Sequence, residues 1–382
     1  MLILSENFPP MVGGSARWAG KIAEHWPGPV QVLMARSGNL SDRESKGRVD
    51  CHRTRFSFPS WAPDNGQSIW SYLAYTSKAM RLAARHRPRW CLVGRGLPEG
   101  VAAMAVRLVL RVPYAVLAHG EEIATCMSSR ILRKMLSRVY RKAGVVIANS
   151  ENSRRLALQC GARRDNCIVS HPGTDVSRFS REVDVESLRK ELGLAEGPVV
   201  LSVGRLERRK NHQAVVEAIA RLVRDGMSVS YLIAGTGEEQ ETLKAQIKER
   251  KLESVVHLLG CVDEDRLVEL YHLADVFALP GIETATQFEG FGIVFVEAAA
   301  AGVPSVCGRA GGSREAVLDG RTGLAVDGDD LDQVTDALDR LVRDDFFRKQ
   351  MGARARERAL AELDWQHLTG SLIEQLHQRR RR

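Results

Sequence analysis

Two glutamates frame the stretch with the clearest chemical potential. Glu289 and Glu297 stand eight residues apart in Phe288-Glu289-Gly290-Phe291-Gly292-Ile293-Val294-Phe295-Val296-Glu297. Before them, Asp275-Val276-Phe277-Ala278-Leu279-Pro280 reads as a buried strand closed by proline. After them, Ala298 to Ala301 are strong helix formers stopped by Gly302. Glu289-Gly290-Phe291-Gly292 is therefore expected as a loop entering a helix over about 290–301. Glycines let backbone approach a ligand, and a helix start offers unpaired N–H groups to an anion. If the whole interval were helical, the two carboxylates would lie roughly 12 Å apart. That span suits a nucleotide sugar, with one acid on hexose hydroxyls, the other on the ribose diol, and the diphosphate between. The plain alternative is a buried helix whose glutamates face solvent.

A second cluster is basic. In Val203-Gly204-Arg205-Leu206-Glu207-Arg208-Arg209-Lys210-Asn211, Arg205 is expected at a strand end and Lys210 in the first turn of the next helix. A cation there opposes the helix dipole unless an anion is bound, and a diphosphate would be that anion. Arg208 and Arg209 are read as surface. Three other turns follow expected strands: Ala118-His119-Gly120-Glu121-Glu122, Ala234-Gly235-Thr236-Gly237 and Leu259-Gly260-Cys261-Val262. Gly13-Gly14 ends the first strand-to-helix loop. The turn at Gly235 lacks the third glycine of a dinucleotide fingerprint, which weakens a nicotinamide reading. Asp263-Glu264-Asp265 and Asp327-Gly328-Asp329 match Asp-x-Asp, but read as a helix start and an exposed turn.

Alternating elements must position these groups. In the first half, strands are expected at 1–5, 30–34, 90–93, 114–117, 145–148 and 167–169. Helices are expected at about 15–26 (capped by Ser15), 68–86, 97–109, 130–143 and 151–160, with a surface loop at 40–47. A linker from Pro172 to about Glu186 separates a second alternation. Its strands are expected at 199–203, 229–233, 255–259, 276–279 and 305–307. Its helices are expected at about 210–224, 238–250, 263–273, 290–301 and 330–343, before a helical tail. Such alternation predicts an α/β protein with parallel sheets covered on both faces, and two of them predict a cleft facing the carboxyl ends of both. The domains are expected at 1–180 and 187–364.

The Glu-Gly-Phe-Gly-Ile-Val-Phe-Val-Glu pattern resembles the signature of retaining glycosyltransferases of family four, whose fold is GT-B. The resemblance implies two Rossmann-like domains facing across a cleft, with the last helix, about 365–382, crossing back onto the first. It implies that Arg205 and Lys210 hold the donor phosphates and that Glu289 binds the hexose 3- and 4-hydroxyls. Glu297 would hold the ribose, and the Phe291 and Gly292 amides would face the phosphates, with Gly290 and Ile293 beside them. His119 would meet the sugar C6 hydroxyl and phosphate, Gly13 and Gly14 would close over the donor, and Cys261 and Val262 would present backbone to the base. It also implies an acceptor-binding first domain and transfer of a hexose from a nucleotide diphosphate sugar. The acceptor would be a glycan, a lipid-linked sugar or a small molecule, in cell-envelope glycan synthesis. The segment 281–287 with Gly-Ile-Val after it resembles the mannosyltransferase branch, which favours GDP-mannose over UDP-hexoses. Arg205, Lys210 and the helix start suffice to neutralise the diphosphate, so neither metal nor cofactor is expected. A nucleotide-sugar epimerase of the same architecture and a non-catalytic nucleotide-sugar-binding protein are the rivals.

Composition bounds the reading. A chain of 382 residues fits two domains, and 44% apolar with 6% aromatic residues is globular. The longest apolar candidate, Val101 to Ala118, is cut by Arg107 and Arg111, and no basic leader precedes the first strand. Seven cysteines without a Cys-x-x-Cys pair read as reduced thiols of a cytoplasmic protein. The formal charge of +8 fits nucleotide substrates or anionic lipid. No nucleic-acid motif accompanies it, so no nucleic-acid partner is expected. Ile131, Leu132, Met135, Leu136 and Val139 form a helical stripe ringed by Arg130, Arg133, Lys134, Arg138, Arg141 and Lys142. The first reading is an ordinary domain helix; the second is peripheral contact with anionic membrane at its inner face.

Overall fold

In a computed structural model all residues are described except 12, 35–42, 55–57, 59, 285 and 382, and the side chains of 43, 380 and 381. The chain divides into two compact units, Met1–Pro172 joined by Gln366–Arg382, and Gly173–Trp365.

The first unit is built on β1 (Leu2–Leu4), β2 (Val30–Met34), β3 (Arg43–Lys46), β4 (Val49–Arg53), β5 (Cys91–Val93), β6 (Tyr114–Ala118), β7 (Val145–Ala148) and β8 (Cys167–Val169). They lie in the order β3-β4-β2-β1-β5-β6-β7-β8, parallel except for β3 against β4. Helices α1 (Gly14–His25), α2 (Gly66–His86), α3 (Glu99–Leu110), α4 (Glu121–Met127), α5 (Arg130–Lys142) and α6 (Glu151–Gln159) alternate with them. Strands β1, β2, β5, β6 and β7 are buried at every position. A parallel sheet covered on both faces demands unbroken apolar runs rather than alternation, which is why these strands are legible.

Three expectations fail here. Ser15 does not cap α1; Gly13 occupies the cap position and Ser15 lies inside the helix. Part of the expected loop at 40–47 is strand β3, paired antiparallel with β4; residues 40–42 lie outside the described residues. The expected linker instead carries a short 3-10 turn, Val176–Ser180, whose Phe179 is buried in the second unit's core, and a helix, α7 (Val185–Glu191).

The second unit contains β9 (Val199–Val203), β10 (Ser230–Ala234), β11 (Val256–Gly260), β12 (Val276–Leu279), β13 (Ser305–Gly308) and β14 (Gly323–Val326). All pair in parallel, in the order β11-β10-β9-β12-β13-β14. With α7 its helices are α8 (His212–Arg224), α9 (Gln240–Glu249), α10 (Glu264–Leu273), α11 (Ile293–Ala300), α12 (Ser313–Ala316), α13 (Leu331–Arg343) and α14 (Asp345–Glu362). The last helix, α15 (Trp365–Arg381), returns to the first unit. Its Leu372, Ile373 and Leu376 are buried, and its His377 ring packs edge-on to Trp26 at 5.4 Å. Three such side chains are worth about 1.5–3 kcal/mol each.

Each sheet has one point where the strand order reverses. In the first unit the chain leaves β1 toward β2 and β4, then resumes at β5 on the other side of β1. In the second it leaves β9 toward β10 and β11, then resumes at β12. The loops leaving the two strands at such a point diverge and open a crevice beyond the strands' carboxyl ends, where ligands of doubly wound sheets bind.

Candidate functional site

In the second unit, the crevice between β9 and β12 is where the chemical residues converge. Beyond β9 the chain passes Gly204, and the Leu206 amide donates to the Thr236 carbonyl at 2.9 Å. The loops after β9 and β10 lie so close that a β-carbon at Gly235 would fall within the Gly204 carbonyl oxygen. A 3-10 turn, Arg208–Lys210, follows, and then Asn211 in the left-handed region at φ 60°. Asn211 Nδ2 donates to the Pro280 carbonyl at 3.0 Å and the Gly328 carbonyl at 2.7 Å. The Ile282 amide donates to the Arg209 carbonyl at 2.9 Å. The basic turn is thus fastened to the loops after β12 and β14. Lys210 precedes α8 rather than occupying its first turn, because the left-handed Asn211 intervenes.

The charges form one network. Lys210 Nζ donates to Glu289 Oε2, and Arg209 Nη1 lies 3.6 Å from the same oxygen. Arg209 Nε is 2.9 Å from Glu207 Oε2, and Arg205 Nη1 is 2.7 Å from Glu207 Oε1. Arg209 is 8% exposed, Lys210 11% and Glu289 18%, whereas Arg205 is 71% exposed. The expectation that Arg209 is surface is therefore overturned: two carboxylates draw it inward. Burial works to raise the Glu289 carboxyl, but Lys210 and then Arg209 outweigh it and hold it below the usual carboxylate value. Three cations against two carboxylates leave positive charge in excess beside a helix start.

That start differs from expectation. Helix α11 begins at Ile293, not near 290, with Gly292 at its cap (φ 89°); Glu289 through Gly292 are the loop expected, and the all-helical spacing of the two glutamates does not hold. The Glu289 carbonyl accepts the Gly312 amide at 2.8 Å, which fixes the loop to the one after β13. The Phe291 ring is buried in the core and anchors the turn. The Ile293 and Val294 amides, in the first turn, have no intrahelical acceptor. Glu297 lies one turn further, 4% exposed, and accepts the Tyr271 hydroxyl of α10 at 2.9 Å.

Of the residues singled out in the sequence, Arg205, Lys210 and Glu289 come together, joined by Glu207 and Arg209. Glu297 is held separately by Tyr271. Cys261 and Val262 follow β11, the first exposed and the second half-buried, after Gly260, whose carbonyl accepts the Gly235 amide at 2.7 Å. A cavity of about 200 Å³ opens beside the basic turn, lined by Glu207, Arg208, Asn211 and His212 among others, and not by Lys210 or Glu289. The remaining residues belong to the first unit. His119 follows β6; its Nε2 donates to the Gly94 carbonyl at 2.8 Å, and Trp18 meets its ring edge-on at 5.4 Å. A β-carbon at Gly13 would meet nothing, so glycine is required there by its backbone angle, φ 145°.

Sequence reasoning missed Arg209, Glu207, Tyr271 and Asn211. An Arg-Arg-Lys run looks solvated unless its partners are known, and nothing local ties Tyr271 to Glu297. Asn211 did carry a signal, since asparagine before a helix is a natural occupant of the left-handed region.

Known proteins bear on this geometry. Residues 184–358 match the family described as glycosyl transferases group 1, and residues 12–178 match glycosyltransferase family 4. The chain is 30% identical to the GDP-mannose-dependent alpha-(1-6)-phosphatidylinositol monomannoside mannosyltransferase of Mycolicibacterium smegmatis, over 100% of this chain and 99% of the relative. It is 36% identical to the D-inositol 3-phosphate glycosyltransferase of Nocardia farcinica, over 62% of this chain and 53% of the relative. The crystal structure of Anabaena Alr3699/HepE in complex with UDP and glucose superposes with a TM-score of 0.81 at 21% identity, covering 99% of this chain and 100% of that one. Sucrose-phosphate synthase from Thermosynechococcus elongatus gives a TM-score of 0.84 at 20% identity, covering 98% of each. The chain therefore belongs to glycosyltransferase family 4, has the GT-B fold, and takes a nucleotide sugar as its donor.

Proposed function

We propose that this enzyme transfers mannose from GDP-mannose to a hydroxyl of an inositol- or mannose-bearing phospholipid headgroup, with retention at the anomeric carbon and without a metal. The observation that carries the reading is the Lys210–Glu289 pair in the crevice between β9 and β12, beside a helix start with no side-chain cap and an excess of positive charge. The donor and acceptor classes follow the full-length relatives, which are GDP-mannose-dependent and act on phosphatidylinositol mannosides.

In this mechanism departure of GDP is the demanding step, because negative charge gathers on phosphate oxygens as the mannosyl carbon becomes cationic. Fixed donors aimed at that charge supply several kcal/mol. Lys210 has three donor hydrogens, so it keeps Glu289 and still reaches a phosphate oxygen. Arg205 and the Ile293 and Val294 amides add to it; the Phe291 and Gly292 amides lie before the helix proper. Glu289, held ionised by Lys210 and Arg209, accepts hexose hydroxyls. Glu297, oriented by Tyr271, accepts the ribose diol. The acceptor hydroxyl attacks from the face the diphosphate leaves and passes its proton to the departing phosphate oxygen, which preserves the anomeric configuration.

A lipid acceptor brings the enzyme to a membrane surface. The apolar stripe of α5 is largely consumed by packing, with Leu136, Val139 and Tyr140 buried; Ile131 is exposed beside Arg130, Arg133 and Lys134. Attraction to anionic lipid would therefore rest on charge, and would fade in high salt during vesicle sedimentation.

A thermal-shift panel of GDP- and UDP-sugars, followed by transfer of labelled mannose to a phosphatidylinositol mannoside in micelles, tests the proposal. Stabilisation by GDP-mannose and an α-linked product support it. A strict requirement for added manganese after chelation would overturn the metal-free account, and donor conversion without acceptor would favour an epimerase.

A further inference from the structure

Asn211, the residue after Lys210, does more than end a turn. It stands at the N-cap of α8, where an asparagine side chain ordinarily accepts the amide of the second or third helical residue. No such bond is made. The carboxamide turns instead to the loops after β12 and β14, and Nδ2 donates to the Pro280 carbonyl at 3.0 Å and to the Gly328 carbonyl at 2.7 Å. A carboxamide nitrogen has two hydrogens, and both are used here. The backbone beneath is left-handed, at φ 60°, a conformation that asparagine tolerates better than most side chains.

The loops it joins have little room to shift. A β-carbon at Gly328 would collide with the Pro280 carbonyl oxygen, and one at Gly308 with the Gly281 carbonyl oxygen. One at Gly281 would lie 3.1 Å from the Arg209 carbonyl oxygen, which also accepts the Ile282 amide at 2.9 Å. Beyond Ile282, the Thr284 amide donates to the Gln287 carbonyl at 2.8 Å and the Gln287 amide to Thr284 Oγ1 at 3.0 Å. These bonds tie the chain back on itself just before Glu289. The turn that bears Lys210 and the segment that leads to Glu289 are thus one frame, pinned at the position next to Lys210.

We propose that Asn211 is a positioning residue for the cation that stabilises the leaving group: its two hydrogen bonds set where Lys210 Nζ stands against the donor's diphosphate. Asn211 acts through Lys210 and not on the substrate. The inference rests on the phosphate role proposed for Lys210. A lysine ammonium rides on a flexible four-carbon stem, so its aim depends on the backbone beneath it as well as on its contact with Glu289. Displacing such a group by about 1 Å costs roughly 10²-fold in rate.

The test is a double-mutant cycle in the full-length protein, with Asn211→Gly and Lys210→Ala, read as steady-state transfer from GDP-mannose and as Tm. Asn211→Gly keeps the left-handed backbone and removes both donor hydrogens. In the wild-type background it should lower kcat by about 10–100-fold and leave donor KM within about threefold, because the misplaced cation serves the departing charge more than the bound ground state. In the Lys210→Ala background it should change kcat by less than about twofold, since no cation remains to be placed, while Tm falls in both backgrounds. Asn211→Asp has the same shape, accepts the same backbone and cannot donate; it should repeat the pattern, and it decides the matter if the glycine variant does not fold. An equal fold loss of kcat in both backgrounds, or no loss in either, overturns the inference. Wild-type kcat in Lys210→Ala overturns the phosphate role, and this inference with it. A wild type that ignores GDP-mannose but consumes another nucleotide sugar overturns the proposed donor instead, and the cycle run with that sugar still decides the part played by Asn211.

Discussion

Replacing Glu289 by glutamine keeps the side chain's shape and deletes its charge, and the structure sets the size of the consequence. Lys210 and Arg209, 11% and 8% exposed, lose their shared counter-ion. At 3.6 Å, the Arg209–Glu289 attraction alone is about 4–5 kcal/mol at an effective dielectric near 20. Desolvation of all three groups offsets much of this. Breaking a fully buried pair costs about 3–5 kcal/mol, and residual exposure moves this site to about 2–3 kcal/mol. For a unit of this size that lowers Tm by about 4–12 °C.

The free variant should therefore melt earlier, yet bind GDP more tightly by about three- to tenfold, since the diphosphate now satisfies the stranded cations. Calorimetric titration with GDP and a melting scan read both effects, and turnover with GDP-mannose should collapse because hexose hydroxyls lose their acceptor. Acid adds a check. The native carboxyl sits below its usual 4.5 and binds fewer protons than in the unfolded chain. Its contribution is complete above that value and is lost as pH falls through the lowered one, so the Tm gap between variant and wild type should close in strong acid. A variant as stable as wild type that binds GDP no tighter would refute the idea that Glu289 holds the place of the donor's charge.

Lys210→Ala should lower kcat by about 10²–10³ with a smaller change in donor KM, as for loss of a preorganised donor; unchanged turnover would remove Lys210 from the phosphate role. Glu297→Ala should raise donor KM strongly, and Tyr271→Phe should do so more weakly while costing about 1.5–3 kcal/mol of stability in a denaturant titration. Gly235→Ala should destabilise the second unit by several kcal/mol, because its β-carbon has no room beside the Gly204 carbonyl and its φ of 153° disfavours any side chain. A soluble variant melting near wild type would show that the two loops yield.

What was legible in the sequence was what the parallel sheet makes legible. Buried strands such as Val199–Val203 and Val276–Leu279 need apolar runs, and the glycine turns after them mark their carboxyl ends. Strand β3 escaped because Arg-Glu-Ser-Lys has no apolar face; it is an edge strand held by backbone pairing with β4. Phe179 escaped because a single buried aromatic in a polar stretch gives no period. The start of α11 was set too early since Phe291, apolar like its neighbours, turns into the core ahead of the helix. Lys210 and Glu289 were found because their motifs are short and local. Their mutual contact spans two loops seventy-nine positions apart, and no local pattern encodes it.

The same architectural accident, a reversal of strand order, occurs in both units, yet the groups gathered there differ in sign. Beside β9 and β12, cations outnumber acids and a helix start adds partial positive charge. Beside β1 and β5, among the described residues, the acids Glu6 and Glu99 outnumber Arg95, and Glu99 Oε2 has no donor. An anion is favoured by the first arrangement and disfavoured by the second. Glu289→Gln deepens the positive excess of the second unit's crevice, whereas Glu6→Gln moves the acidic cluster of the first toward neutrality.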